Sequence, residues 1–418
     1  MASSSLLKNI PSIAKLSQKS ILEITGPDST KFLKGLSCKD VDQLKGGYSG
    51  FLNASGRILN TTFIFPTLKT IKPGKIEKSY LISYDENSSS SKLEDFLIPF
   101  KLRSKIKIEN VTEQFDSYSV FGDDEENFYN KKKGKQPIRN WKFGSGGASE
   151  SQWFWPNDEI RDLELNENEI GCWDLRVGFS YRGMGRQILV PKGVKPSLCS
   201  THDLVETEDY HLRRMLLGIP EGPQEIIPGS ALPLESCMDL HGGVDFRKGC
   251  YLGQELTVRT YHTGATRKRI LPIRLIPLDS NIQENLISNY INNDNNPLGN
   301  LKIPKISELE QLEITYHPPF TSLSKKTRSA GKILSFHSIE NSIGLGLIRI
   351  EFIEKSCWSL NLNLNKNNDL KIKDFFSENL EIGKLTTKIG DQTFGIYVNK
   401  GEAYDSALKA NYSSSSEL

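Results

Sequence analysis

The chain has 418 residues, of which 37% are hydrophobic and 25% are charged, and this length predicts two or three domains rather than one core. The 53 Lys and Arg residues nearly balance the 51 Asp and Glu residues, so the overall charge indicates no nucleic acid partner. The apolar runs are strand-sized and shorter than the roughly 18 residues of a membrane span, so we expect no membrane partner.

The first residues leave two interpretations open. Residues 1–19 are rich in serine and lysine, and no acidic residue precedes Glu23. This composition is typical of a mitochondrial presequence and equally of a frayed polar terminus. The six cysteines form no Cys-x-x-Cys pair, which favours free thiols in a reducing compartment.

Apolar periodicity predicts the elements of the first half. We expect a strand over 20–25, a helix over 29–36, and a hairpin of two strands over 48–53 and 58–65. A helix over 92–98 should end at Pro99. Residues 122–158 mix both charge signs with glycines, and we interpret them as a solvated insertion.

The second half is predicted to hold strands over 170–179 and 188–191 and a helix over 204–217. Short strands follow over 270–276, 312–316, 330–337 and 344–352, a pattern that indicates a small barrel or sandwich. From about Ala407 the chain ends in a serine run, which we expect to be disordered.

The strongest candidate site is the segment 248–255, which reads Lys-Gly-Cys-Tyr-Leu-Gly-Gln-Glu. Gly249 and Gly253 flank Cys250, so another molecule can approach the thiol closely. Arg247 and Lys248 precede Cys250, and nearby cations favour the reactive thiolate. A basic patch is predicted just downstream, at Arg259, His262, Arg267, Lys268 and Arg269.

Other interpretations of the segment stand beside this one. Cys250 could be a small buried hydrophobic residue, as many cysteines are. A zinc site could gather Cys237, His241, Cys250 and His262, although their spacing matches no common zinc pattern. A Cys/His nucleophile could use one of these histidines, but the sequence marks no oxyanion hole.

Residues 248–255 resemble the KGCYxGQE signature of the YgfZ family of folate-binding-like proteins, which is related to the glycine cleavage T-protein. Segments 51–58, 218–222 and 330–335 are also similar to that family, and the resemblance spans roughly residues 20 to 355. It implies an α+β fold with a T-protein-like ring of three domains around a central cavity, ending in a small C-terminal β-barrel.

This resemblance also implies domain boundaries. We expect a leader over 1–19 and a folate-binding-like region over 20–265 that consists of two interleaved α+β domains. The polar insertion 122–158 interrupts that region. The β-barrel domain should cover 266–400, followed by a disordered tail over 401–418.

One departure from the T-proteins bears on catalysis. T-proteins carry an Asp-Asp pair after the corresponding hairpin, and one carboxylate is their catalytic acid or base. In the same register this chain has Asn60 and Thr61, which do not titrate near neutral pH. General acid–base catalysis is worth about 10²–10⁴ in rate, so we do not expect T-protein chemistry here.

The resemblance therefore implies a mitochondrial matrix factor that matures 4Fe–4S proteins of the aconitase and lipoate synthase types. Its expected partners are A-type iron–sulfur carriers and these client enzymes, and its expected working thiol is Cys250. The resemblance also implies tetrahydrofolate as a ligand of this assembly factor. One cysteine does not hold a cluster stably, so we expect Cys250 to be a transient cluster ligand with no resident metal.

The alternative is a folate-dependent one-carbon (aminomethyl or methyl) transferase or a demethylase with tetrahydrofolate as its cofactor. The predicted folate- or partner-binding residues are Asn53, Arg57, Lys248, Gly249, Tyr251, Gly253, Gln254, Glu255 and Arg259.

Overall fold

The computed structural model describes residues 10–42, 46–86, 92–122, 137–156, 163–179, 183–277, 312–319, 322, 326–337, 342–356 and 383–416. The chain divides into two compact units. The two-sheet unit comprises Asn9–Tyr210, Glu221–Thr266 and Ser406–Leu418. The barrel unit includes His211–Pro220 and Arg267–Asp405.

The strands of the two-sheet unit form two five-stranded sheets and a hairpin. Its strands are β1 (Ser12–Lys15), β2 (Lys19–Thr25), β3 (Gly47–Leu52), β4 (Ile58–Lys72), β5 (Lys75–Asp85), β6 (Lys107–Asn110), β7 (Phe115–Phe121), β8 (Ile138–Phe143), β9 (Ser149–Phe154), β10 (Ile170–Trp173), β11 (Arg186–Pro191) and β12 (Asp203–Val205). One sheet has the order β10-β11-β7-β1-β12, the other the order β3-β4-β5-β2-β6, and β8 pairs with β9. All neighbours are antiparallel except β1 and β12.

The helices of the described residues are α1 (Ser29–Lys34), α2 (Leu93–Lys101), α3 (Thr207–Leu217), α4 (Gln254–Thr263), α5 (Ile350–Glu354) and α6 (Glu402–Ser416). Helices α1 and α2 pack on the β3-β4-β5-β2-β6 sheet through Leu33 and Leu97, which are fully buried. Phe51, Ile64 and Ile82 of the sheet belong to the same core. This core supports the end of α1, on which the candidate site is built.

The barrel unit contains the closed barrel predicted for the C-terminal part. Its strands are β13 (Lys268–Pro277), β14 (Glu313–His317), β15 (Arg328–Phe336), β16 (Ile343–Arg349), β17 (Lys384–Ile389) and β18 (Gln392–Val398). They close in the order β13-β16-β15-β14-β17-β18, with β18 antiparallel to β13. Closure removes exposed sheet edges, which is how a small β domain avoids pairing with other chains.

A buried ionic network joins the two five-stranded sheets of the two-sheet unit. The Glu221 carboxylate accepts hydrogen bonds from Lys19 at 2.7 Å, Arg176 at 2.6 Å and the Tyr210 hydroxyl at 2.7 Å. Lys19 also donates to Asp85 at 2.8 Å, and Asp174 accepts from Arg176 at 2.7 Å. Lys19 and Asp85 lie at the ends of strands in one sheet, and Asp174 directly follows β10 of the other, so the network links the two sheets.

The guanidinium group of Arg176 is fully buried against two aromatic rings. It lies 5.3 Å from the ring centroid of Tyr48 and 4.9 Å from that of Phe63. Burial alone would lower the pKa of Arg176, but the Asp174 carboxylate and its acidic neighbours outweigh burial and raise this pKa well above its ordinary value. Arg176 therefore stays charged and paired at every physiological pH.

The leader boundary at residue 19 is wrong. Ser12–Lys15 forms β1, an interior strand between β7 and β12, and Ile13 is fully buried. Lys19 begins β2 and forms two buried ion pairs. The sequence did not reveal β1 because this short strand has two apolar residues, too few for a periodic signal.

The disordered tail predicted over 401–418 is also wrong, because Glu402–Ser416 forms α6. Ala403 and Ala407 are 2% and 1% exposed, so the helix has a packed face that its serine content concealed. The division into three domains stays a prediction.

Two further predictions needed correction. Part of the insertion 122–158 forms the β8–β9 hairpin, in which Arg139 lies 4.4 Å from the ring centroid of Trp141. Charge mixing therefore did not indicate a solvated loop here. The helix expected to end at Pro99 continues two residues further, to Lys101.

We predict that Arg176→Ala lowers the free energy of unfolding by about 3–5 kcal/mol, because it leaves the Asp174 carboxylate buried without its cation and removes one of the two cations paired with Glu221. Urea unfolding followed by circular dichroism measures this change. The control is Lys75→Ala, which removes an exposed ion pair to Glu77 and should change stability by less than about 0.5 kcal/mol. Equal effects of the two substitutions would refute the role given to the network.

Candidate functional site

The segment 248–255 lies against the C-terminal end of α1. The Leu252 N–H donates to the Gly35 carbonyl at 2.9 Å, and the Leu252 side chain packs against the core beneath α1. The last carbonyl groups of a helix have no N–H donors within the helix. The segment therefore supplies donors that the end of α1 needs, and it is held in place in return.

Lys248 anchors the segment most directly. Its ammonium group donates to the carbonyl oxygens of Lys34 at 2.8 Å, Ser37 at 2.6 Å and Lys39 at 3.1 Å. It also lies 4.8 Å from the ring centroid of Tyr251. Burial lowers the pKa of Lys248 to about 8. All three N–H groups of the ammonium are directed to the protein itself, so Lys248 positions the loop and has no donor left for a ligand.

Gly253 brings the segment into contact with the β3–β4 hairpin. It has φ +76° and precedes the first residue of α4. A Cβ at Gly253 would overlap the carbonyl oxygen of Asn53 and lie 2.9 Å from the Leu52 Cβ. Both the backbone angle and the space at this position therefore require glycine.

Three of the other predicted binding residues are used within the fold. Asn53 Oδ1 accepts hydrogen bonds from the Ser55 N–H at 3.0 Å and the Arg57 N–H at 3.0 Å, which closes the hairpin turn. Arg57 donates to the Ser230 carbonyl at 2.7 Å. Gln254 Oε1 accepts from the Tyr251 N–H at 3.1 Å. These side chains shape the loops around Cys250.

Tyr251, Glu255 and Arg259 differ in their exposure. Tyr251 is buried beneath Lys248, and burial raises the pKa of its hydroxyl above the ordinary value. Glu255 and Arg259 are exposed on α4. The structure therefore places Tyr251 in the support of the segment, and Glu255 and Arg259 on a surface that a partner or ligand could reach.

Cys250 is the exposed thiol of the site. Among the described cysteines, Cys38, Cys172 and Cys237 are buried, Cys199 is half-buried and Cys250 is exposed. Burial raises the pKa of Cys38 to about 12, so this neighbouring thiol is not reactive at neutral pH. The interpretation of Cys250 as a small buried hydrophobic residue is wrong.

An open cleft of about 550 Å³ lies beside Cys250. Its lining residues are Pro27, Thr30, Lys31, Lys34, Gly35, Asp42, Lys248, Gly249 and Cys250. Sequence reasoning missed Lys31 and Lys34, which occupy the last turn of α1. The two lysines at the end of a short helix were a signal, but the sequence did not show that this end faces Cys250.

Asn60 and Thr61 line a second, much smaller cavity of about 10 Å³. A volume of this size holds about one water molecule, and the roughly 300–1,000 Å³ of a typical ligand site is far larger. Asp85 also lines the cavity and is paired with Lys19 at 2.8 Å. The cavity lined by Asn60 and Thr61 is therefore too small for a pteridine ring in this structure.

Zinc binding receives no support in the described residues, and the predicted basic patch loses one of its members. No group of three or more His, Cys, Asp or Glu side chains in that part of the chain could hold a metal ion. The His241 Nδ1 atom lies 2.9 Å from the Arg176 carbonyl oxygen in a buried position. Arg269 is fully buried, 5.5 Å from the ring centroid of Tyr404, so its assignment to an exposed basic patch is wrong.

The fold defines the class of protein. Aminomethyltransferase T of the glycine cleavage system from Bartonella henselae has a similar structure, with a TM-score of 0.53 and 11% sequence identity. The match covers 96% of this chain and 89% of that protein. The chain thus has an aminomethyltransferase-like fold. In the described residues, no helix is both long and apolar enough to cross a membrane.

Sequence comparison places the chain more narrowly, although no family model matches it. A mitochondrial iron–sulfur cluster assembly factor IBA57 homolog from Cryptococcus neoformans is 52% identical over 408 residues, which cover 97% of this chain and 99% of that relative. Homologs with the same name from Neurospora crassa and Aspergillus oryzae are 33% and 35% identical, each over 81% of this chain and 70% of the relative.

The chain belongs to this family of mitochondrial iron–sulfur cluster assembly factors. The family, the fold class and the mitochondrial location predicted from the motif are confirmed. The roles of the individual site residues stay predictions.

We predict opposite outcomes for the two glycines that flank Cys250. Gly253→Ala should lower the free energy of unfolding by about 2 kcal/mol or more, because it strains a positive φ and collides with Asn53. Gly249→Ala should change it by less than about 0.5 kcal/mol, because a Cβ there meets no atom within 4 Å. Urea unfolding of both variants provides the measurement, and a tolerated Gly253→Ala would contradict the packing described.

Proposed function

We propose that this protein matures 4Fe–4S enzymes in mitochondria by presenting the Cys250 thiol to a cluster-carrying partner protein. The observation that carries the proposal is the exposure of Cys250 on a segment tied to the fold on both sides. The family to which the chain belongs supports an assembly role.

The chemistry of the described residues supports a transient cluster rather than a resident one. An iron–sulfur cluster is usually held by four ligands, and Cys250 supplies one. A partner must then supply the others, and ligation by Cys250 releases its thiol proton. The cluster is cargo in this proposal, shared briefly between the two proteins.

The A-type iron–sulfur carriers are the partners that we propose, with aconitase-type and lipoate-synthase-type enzymes as clients. The open cleft beside the thiol supports a contact with a folded partner, because the surface there is accessible. Lys248 and Gly253 enter the proposal as positioning residues that hold the thiol at this surface. Glu255 and Arg259 are candidates for direct partner contacts.

We predict that Cys250→Ser abolishes maturation of aconitase and of lipoate-dependent enzymes in mitochondria lacking the native protein. Serine keeps the size of the side chain but is a poor ligand for iron in a cluster. Client activities and lipoylation measure the outcome, with Cys199→Ser as the matched control at the half-buried thiol. Full activity of Cys250→Ser would disprove the proposed role of the thiol.

Tetrahydrofolate is a separable part of the proposal. We propose that tetrahydrofolate can be a ligand of this fold but is not transformed at Asn60 and Thr61. The absence of a titratable group at these two positions and the 10 Å³ cavity that they line support this view. No catalytic step is assigned to folate.

We expect neither the native protein nor the Asn60→Asp variant to transfer an aminomethyl group to tetrahydrofolate, because the cavity does not admit the pteridine ring. Product formation with the other glycine cleavage components measures this. Calorimetry with tetrahydrofolate is the companion measurement, and any heat of binding should be unchanged in Asn60→Asp. Turnover by either protein would favour the alternative, a folate-dependent one-carbon transferase.

A further inference from the structure

The cleft beside Cys250 carries a positive charge that the assembly role alone does not explain. Its lining includes Lys31, Lys34 and Lys248 against one acidic residue, Asp42. Lys34 pairs with Asp42 at 2.7 Å and with Asp40 at 3.5 Å, and Lys248 is bonded to carbonyl oxygens. Lys31 is exposed and has no ion pair with any described residue. The cleft therefore keeps an excess of positive charge, with Lys31 as its available cation.

Two backbone N–H groups of the segment are also available to an anion. The N–H groups of Tyr251 and Leu252 donate to Gln254 Oε1 at 3.1 Å and to the Gly35 carbonyl at 2.9 Å. In contrast, the N–H groups of Gly249 and Cys250 donate to no acceptor among the described residues. Successive free backbone N–H groups are suited to binding an anion, and a carboxylate accepts such bonds with charge assistance.

The space around Gly249 is also open. A Cβ at this position would meet no atom within 4 Å, and Gly249 does not need a positive φ. The fold itself therefore gives no reason for a glycine here, unlike at Gly253. A glycine that leaves the backbone uncovered beside a thiol allows another molecule to approach both.

We propose that this cleft binds an acidic segment of the partner protein, with a carboxylate of that segment placed between Lys31 and the N–H groups of Gly249 and Cys250. The inference rests on the proposed role of Cys250 and adds the chemistry of the partner's contact. A cleft of about 550 Å³ has room for several side chains. The acidic contact orients the partner so that its cluster meets the thiol.

The first test uses two short synthetic peptides of equal length, one rich in Asp and Glu and the other with Asn and Gln in their place. Fluorescence anisotropy with the full chain should show about tenfold tighter binding of the acidic peptide at low salt. The preference should disappear in about 1 M salt, where the screening length is about 3 Å. Equal binding of the two peptides at low salt would overturn the proposal.

Charge reversal locates the site. Lys31→Glu should remove most of the tenfold preference, and Lys31→Gln should remove part of it. Lys72→Glu is the matched control, because Lys72 is exposed at the end of β4 and does not line the cleft. A Lys31→Glu protein that is folded by circular dichroism and keeps the full preference would place the acidic contact elsewhere and refute the assignment.

Thiol reactivity provides a second readout that needs no partner. In a Cys199→Ser, Cys357→Ser background, Cys250 is treated with dithiobis(nitrobenzoate), which is anionic, and with dithiodipyridine, which is neutral. In each reaction the thiolate displaces one aryl thiolate and forms a mixed disulfide. The rate with the anionic reagent divided by the rate with the neutral reagent should fall about tenfold in Lys31→Glu. An unchanged ratio would count against an anion site beside the thiol.

The two proposals fail in different ways. If Cys250→Ser keeps client maturation, the role of the thiol fails, while peptide binding still tests the acidic contact. If Cys250→Ser loses maturation but Lys31→Glu changes neither peptide binding nor maturation, the thiol stands and the acidic contact is refuted.

Discussion

The two-sheet unit depends on the buried ionic network around the carboxylate of Glu221. This carboxylate accepts hydrogen bonds from Lys19 at the start of β2, from Arg176 in the loop after β10 and from Tyr210 on α3. Buried charges are costly unless they are fully paired, so this network is stable in one arrangement of its members. The position of the sheets is thereby specified, and with it the surface on which α1 rests.

The candidate site forms where the segment 248–255 donates hydrogen bonds to the carbonyl groups at the end of α1. Helix α1 leaves carbonyl groups at its C-terminus, and Lys248 and the Leu252 N–H supply the donors. The hairpin between β3 and β4 holds the other side of the segment through its contact with Gly253. Cys250 lies between these two attachments. The exposed thiol is therefore held by groups that have no chemical role of their own.

Local patterns in the sequence predicted much of this arrangement. Alternating residues revealed the β3–β4 hairpin and four of the barrel strands, and the glycines around Cys250 indicated an accessible thiol. The function of Lys248 could not be predicted, because its acceptors lie more than 200 residues away along the chain. The same limit applies to Lys31, whose proximity to Cys250 exists only in the folded chain. Helix α6 was missed because its serines conceal a packed face.

The three hydrogen bonds from Lys248 to carbonyl oxygens affect how a complex would form and dissociate. A loop anchored in this way loses little conformational freedom when a partner docks, so the entropic cost of association falls mainly on the partner. The same rigidity prevents the loop from withdrawing Cys250 once contact is made. If Cys250 meets a partner as proposed, the rate at which the two proteins separate is set by rearrangement in the partner.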